Sequence, residues 1–288
     1  MKVAVVGAHG VVGRAIVPVL LARGITVRTV DLRALSSPDP TKGKVEFFAG
    51  DILSRDDMSR AVAGCDVVLH VATAVPKPGP AMDWSKNDAI RRSGTANLLD
   101  ACAAESVKHY IQQSVSMLYA DGGDRWLDED SDVRPVKLLE SAADMENTVR
   151  SSRLHWTILR GGLLYGASTG RESGWLQQAR DGSLRVPGDG TGYVSLIHQV
   201  DLANAFGAAC MAPASNRIFN IVDDEPTAWR DLLNFIAKYA GAPAPLAGGP
   251  VVFPSHRVTN RRATIELKWK PEVPSYRDGF TRSGDNNI

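Results

Sequence analysis

Gly7, Gly10 and Gly13 stand three residues apart, directly after the apolar run at residues 3–6. A strand that must turn sharply into a helix while its backbone approaches a pyrophosphate calls for glycine, because a Cβ at Gly7 or Gly10 would obstruct that approach. The N–H groups that open the helix, at Val11, Val12 and Gly13, then hold the phosphates. His9, inside the loop, either donates toward a phosphate or points to solvent. Asp31 closes a second apolar run about twenty residues beyond the glycines, where a carboxylate accepts hydrogen bonds from both hydroxyls of an adenosine ribose. That arrangement favours NAD. Arg33, two residues further on, would meet a 2′-phosphate, so NADP stays open.

The other residues able to do chemistry carry weaker patterns. Asp128, Glu129, Asp130 and Asp132 lack the glycine and distal glutamate of a calcium loop and read as a solvated loop, so no metal is expected. His70 follows an apolar strand and reads as a satisfied, half-buried histidine. Cys65, Cys102 and Cys210 have neither metal-ligand spacing nor an even-numbered framework and read as buried, reduced thiols.

The elements that must position these residues alternate. Short β-rich runs at 3–6, 27–30, 45–48, 67–71, 110–113 and 156–160 are separated by helical patterns at 11–22, 91–104 and 141–151. Such alternation predicts an α/β fold of Rossmann type, a doubly wound parallel sheet with helices on both faces. After Gly161, glycine, proline and aromatic residues punctuate shorter elements, as expected of a smaller C-terminal substrate lobe. The expected division is a dinucleotide-binding domain at 1–165 and a lobe at 166–288, with about 193–222 returning to the main domain. The chain has 288 residues and a formal charge of +1. A balance that near neutral, with no long basic run, argues against nucleic acid or an anionic membrane as partner. No apolar run reaches the roughly twenty residues needed to span a bilayer, and the chain opens on a strand, so a cytoplasmic protein is expected.

From its glycine loop nearly to the C-terminus the chain resembles the extended short-chain dehydrogenase/reductase family, which contains nucleotide-sugar epimerases and dehydratases. The glycine spacing, Gly50-Asp51-Ile52, the run 68–72, the segment 114–119, Leu159-Arg160 with Tyr165-Gly166, the run 197–203, and 219–222 before a late helix at 229–239 carry the likeness. It implies that Asp51 and Ile52 contact the adenine and that Val71, Ala72, Thr73 and Ser114 border the cofactor. It implies a substrate pocket bounded by Val75, Arg91, Leu138, Ala142, Gly162 and Tyr165, overhung by segments carrying Trp175 and Tyr193. His198 and Asp201 are structural in this resemblance, and helices such as 91–104 pair two subunits into a homodimer.

The family's reductases and epimerases use a Tyr-x-x-x-Lys pair in which the lysine lowers the tyrosine pKa for proton exchange with the substrate. No such pair exists in this chain: four residues beyond its six tyrosines stand Ser114, Gly123, Thr169, Ile197, Pro243 and Phe280. Anchored on Glu146, the resemblance puts Leu138 at the tyrosine position and Ala142 at the lysine position. Tyr119 and Ser116, at the strand exit, are the remaining candidates for catalysis, each with a structural reading beside it. Three functions follow. One is an NAD(P)-dependent oxidoreductase or epimerase-like enzyme acting on a small molecule with a non-standard proton donor. The second is a non-redox isomerase, cyclase or lyase with a structural dinucleotide, and the third a silent NAD(P)(H)-sensing binding protein.

Overall fold

The computed structural model describes residues 1–34, 45–76, 82–213 and 216–284. Seven strands make the main sheet: β1 (Lys2–Val6), β2 (Thr26–Asp31), β3 (Val45–Ala49), β4 (Val67–His70), β5 (His109–Val115), β6 (Trp156–Gly161) and β7 (Arg217–Ile221). Their order is β7-β6-β5-β4-β1-β2-β3, and β1 pairs in parallel with β2 and β4, β2 with β3, and β4 with β5. The order reverses direction at β1, where the chain steps first to β2 and later to β4. Open α/β sheets bind ligands beyond the strand ends at such a switch point. Val3 to Val6 are all buried, as a strand covered on both faces requires.

Helix α1 (Val11–Ala22) starts at Gly10 and buries Val12, Ile16, Val17 and Leu20 along one stripe. It stops at Gly24, whose φ of +70° lets the amides of Gly24 and Ile25 close on the carbonyls of Leu21 and Leu20. Helices α2 (Arg55–Val62), α3 (Ser85–Ala89), α4 (Thr95–Ala104) and α5 (Glu140–Arg150) complete the first unit. The helix expected at 91–104 begins instead as a π-helical turn, Ile90–Gly94, continuous with α3. Gly94 lies against Ile52 there, with room for a Cβ only 3.1 Å from the isoleucine side chain. The apolar face of 91–104, expected to serve a homodimer, has Leu98, Leu99 and Cys102 in the core with Met58, Val68 and Tyr110.

Two compact units share the chain. Unit 1 comprises Met1–Ser114, Lys137–Leu159 and Ala203–Ile218, and unit 2 comprises Val115–Val136, Arg160–Leu202 and Phe219–Ile288. Unit 2 packs α6 (Arg171–Arg180) and the amphipathic α8 (Trp229–Tyr239), whose Leu232, Leu233 and Ile236 are buried, with Leu163, Tyr165, Leu196, Tyr276 and Phe280. Between them in sequence, α7 (Gln199–Met211) carries Asp201, whose carboxylate accepts the amides of Glu272 and Val273 at 2.7 and 3.0 Å. The three cysteines are buried and free. Among the described residues, no helix is long and apolar enough to cross a membrane.

Candidate functional site

In unit 1 the three glycines have different reasons to be glycine. Gly7 has φ +90°, and a Cβ there would sit 2.5 Å from the backbone of Ala72; at Gly13 it would sit 2.4 Å from the Gly7 carbonyl. Those two are demanded by the protein's own backbone, which corrects the ligand-based reason given for Gly7. At Gly10 a Cβ would meet only the Gly7 carbonyl, at 3.3 Å, so this position borders open space at the start of α1. Gly10 caps the helix with no side-chain hydrogen bond, leaving the first-turn N–H groups at Val11, Val12 and Gly13 for an anion. A phosphate-sized cradle that a larger residue would fill is what a dinucleotide requires.

Asp31 ends β2 beside this loop. Its Oδ2 accepts the His9 amide at 2.9 Å and its Oδ1 accepts the Leu32 amide at 2.8 Å. Lone pairs remain on both oxygens for ribose hydroxyls. The His9 ring takes neither expected role: its Nδ1 lies 2.8 Å from the Arg33 carbonyl and the ring stacks on Phe47. Arg33 itself is exposed. Asp51 is fixed by its own turn, accepting the Leu53 amide, and Ile52 is buried beside it. Val71 donates to the Val6 carbonyl, Ala72 backs Gly7, and Thr73 is exposed. Ser114 donates its one proton to Glu146 at 2.6 Å inside the core, so toward a cofactor it offers only lone pairs.

Further along unit 1, Leu138 is half-buried and Ala142 is buried in the first turn of α5. Arg91, on the π-helical turn, is buried and donates to Ser141 at 3.2 Å; burial pulls its pKa below the ordinary arginine value. Val75 is exposed. His70 is fully buried, not half-buried, with Nδ1 at 2.9 Å from Gln112 and 3.0 Å from Tyr110; burial lowers its pKa to about 4.

Unit 2 holds a cavity of about 200 Å³. Trp175, Tyr193, Trp229 and Phe253 wall it, and Ser116, Arg171, Ser195 and His256 supply the polar groups. Ser116, the catalytic candidate, lies in this lining with Trp175 and Tyr193 of the expected substrate pocket. Gly162 and Tyr165 are not part of its lining. A Cβ at Gly162 would lie 2.7 Å from the Ser195 carbonyl, and Tyr165 is fully buried with its hydroxyl on the Ser275 carbonyl.

Tyr119 is sealed. It has no accessible surface, its phenol donates to Asn220 Oδ1 at 2.7 Å, and burial pushes its pKa up to about 12 against the opposing pull of Arg160. A phenol so held does not reach a substrate, and its structural reading replaces the catalytic one. The acidic cluster is corrected as well: Glu129 is buried, accepts the Asn220 amide at 2.8 Å and faces Arg262, with burial raising its pKa.

His256, Arg171, Trp229 and Phe253 escaped the sequence reading. The signal available for the last was an apolar stretch, 250–254, set between prolines in a loop.

The profile of the NAD(P)H-binding family matches residues 7–185. The chain is similar to a 3-diazoavenalumate denitrifying reductase of a Streptomyces species, 32% identical across 98% of this chain and 100% of that one. It is also 26% identical to a 2-alkyl-3-oxoalkanoate reductase of Shewanella oneidensis, over 83% of this chain and 66% of the relative. The UDP-glucose 4-epimerase of Thermotoga maritima superposes with a TM-score of 0.82 over 99% of this chain and 98% of its own, at 20% identity, a likeness of fold. Glycine loop, sheet order and matched relatives agree: the chain belongs to the NAD(P)H-binding family and is an NAD(P)-dependent enzyme.

Proposed function

We propose that the chain is an NAD(P)H-dependent reductase whose acceptor is an aryldiazonium, and that the protein itself contributes no proton to the reaction. The observation that carries this reading is the missing acid. Leu138 and Ala142 occupy the positions where the resemblance puts tyrosine and lysine, and Tyr119, the remaining phenol at the strand exit, is buried and committed to Asn220. The open corner at Gly10 and the first-turn amides of α1 nevertheless support a bound dinucleotide.

When bound, the reduced nicotinamide supplies a hydride. A carbonyl acceptor would then need a proton on its oxygen, and a general acid contributes about 10²–10⁴-fold to such a step. An aryldiazonium needs none. Its C–N bond breaks with the bonding pair leaving on dinitrogen, and the pair carried by the hydride forms the one new C–H bond of the arene. Charge and electrons balance without an acid. The work left to the chain is to bind, orient and keep water away from the electrophile, which apolar residues do better than a phenolate and an ammonium. The similarity to a denitrifying reductase of a diazo compound over the whole of both chains supports the same class of acceptor.

The test is to mix the protein with ¹⁵N-labelled aryldiazonium and NADH or NADPH deuterated at the transferred position. One ¹⁵N₂ released and one aromatic C–D bond formed per dinucleotide oxidised is the expected result. Oxidation no faster than without protein, or deuterium absent from the arene, overturns the proposal.

A further inference from the structure

The cavity of unit 2 contains a histidine whose free nitrogen has a defined role. His256 is 3% exposed and fixed at two points: its amide donates to the Tyr193 carbonyl at 2.9 Å, and its Nε2 lies 2.9 Å from the Tyr119 carbonyl. A carbonyl can only accept, so Nε2 carries the hydrogen. Burial lowers the ring's pKa, which keeps the imidazole neutral and leaves Nδ1 with a lone pair. Nδ1 meets no donor among the described residues and belongs to a ring that lines the cavity. It is an acceptor awaiting an O–H or N–H.

Two further features limit what can bring that donor. Trp175, Trp229, Tyr193 and Phe253 make walls suited to a flat ring. Arg171 is the one ionised side chain among the lining residues. Its Nε donates to the Leu164 carbonyl at 2.8 Å, its guanidinium lies 5.5 Å from the Trp175 ring, and no described carboxylate pairs with it. At about 200 Å³ the cavity falls below the roughly 300–1,000 Å³ of sites for larger ligands, so a single-ring acid suits it better than a nucleotide sugar.

We infer that this cavity recognises a hydroxylated aromatic acid, with His256 Nδ1 accepting the ring hydroxyl and Arg171 holding the carboxylate. The inference rests on the reductase reading in one respect, that this cavity is where the acceptor binds. His256 is then a specificity-determining residue and takes no proton in the reaction.

Binding without turnover tests it. Saturated with NADP⁺ or NAD⁺, the protein is titrated by calorimetry with 4-hydroxycinnamate, 4-methoxycinnamate and cinnamate. The hydroxy acid is expected to bind about tenfold more tightly than the other two, the scale of one satisfied hydrogen bond in a dry site. His256→Phe should bring the three acids together, and Arg171→Met should weaken all three about tenfold or more. Equal affinities in the unmodified protein overturn the inference, whether or not the variants fold. So does discrimination that survives in a His256→Phe protein of unchanged melting temperature. Hydroxy-acid selectivity lost in His256→Phe with no dinitrogen release sinks the diazonium reading alone; dinitrogen release with no selectivity sinks this one alone.

Discussion

In unit 1 the surface offered to a ligand is mostly main chain, the Gly10 corner and the first amides of α1, with the carboxylate of Asp31 held beside them by two backbone N–H groups. In unit 2 it is side chain: four aromatic rings, a guanidinium, two serine hydroxyls and an imidazole drawn from segments as far apart as residues 116 and 256. The first kind of surface resists change, because substitution leaves a backbone amide in place. The second kind can be altered one residue at a time. The function proposed above would divide cofactor and substrate recognition along that line.

The largest effect expected from breaking the comparison is at Gly10. Gly10→Val places a branched side chain in the open space before α1, where only the Gly7 carbonyl lies close. Dinucleotide affinity should fall about a hundredfold or more, which is about 2.7 kcal/mol, while the melting temperature stays within a degree or two. Gly13→Val should do the reverse, since its Cβ meets the Gly7 and Ala8 backbone at 2.4–2.6 Å and the loop must unfold to admit it. Calorimetric titration with NADH and NADPH beside a thermal melt separates the two. A Gly10→Val protein that still binds either dinucleotide would remove the loop as the cofactor site.

How much of each surface is legible in the sequence follows from the same division. The strand–loop–helix–strand from Lys2 to Asp31 is contiguous, and its glycines, apolar stripe and terminal carboxylate are set by local geometry. The run of helix α1 and the C-cap at Gly24 are therefore readable directly. Glu129 is not readable in that way. Its neighbours in sequence are acidic and exposed, and the amide that draws it inside belongs to Asn220, 91 residues on. His256 is hidden for the same reason, its anchor being a carbonyl 137 residues earlier. Local periodicity carries no information about such pairs. The His9 ring is a further case, its Nδ1 meeting the carbonyl of Arg33, 24 residues on.

Both units bury histidines of lowered pKa, His198 and His256 in unit 2 among them, and unit 2 buries carboxyls of raised pKa besides. Unit 1 buries His70 and His109, whose pKa values burial lowers to about 4. Unit 2 buries Asp201, raised by burial to about 6, and Asp223, raised well above the ordinary carboxylate value by burial and by the carboxylates of Asp224 and Glu225. A histidine with a depressed pKa releases a proton on folding, so its contribution to stability grows as pH rises toward 6.5. A carboxyl with a raised pKa keeps a proton that the unfolded chain gives up near 3.8. Its contribution is present below that value and is lost as pH rises through the folded pKa. Because the histidines mask this, the measurement is a difference. Asp223→Asn and the unmodified protein should melt together at pH 4, and the variant should gain by several degrees as pH rises to 8, the response of a domain this size to a kilocalorie or two. A constant difference across that range would place Asp223 among groups that ionise in the fold.

The smallest expected effect is on turnover at Tyr119, and it bears directly on the proposed chemistry. Tyr119→Phe removes a phenol that donates to Asn220 Oδ1 and leaves that buried oxygen without its donor. The cost to stability should be about 1–2 kcal/mol, read as a melting temperature lower by a few degrees. The rate of NAD(P)H oxidation with an aryldiazonium should remain within about twofold, because a group with no accessible surface and a committed proton gives nothing to the acceptor. A rate lower by a hundredfold or more at unchanged stability would be the signature of a general acid. It would return Tyr119 to the site and with it the need for a proton, which an aryldiazonium does not have and a carbonyl does.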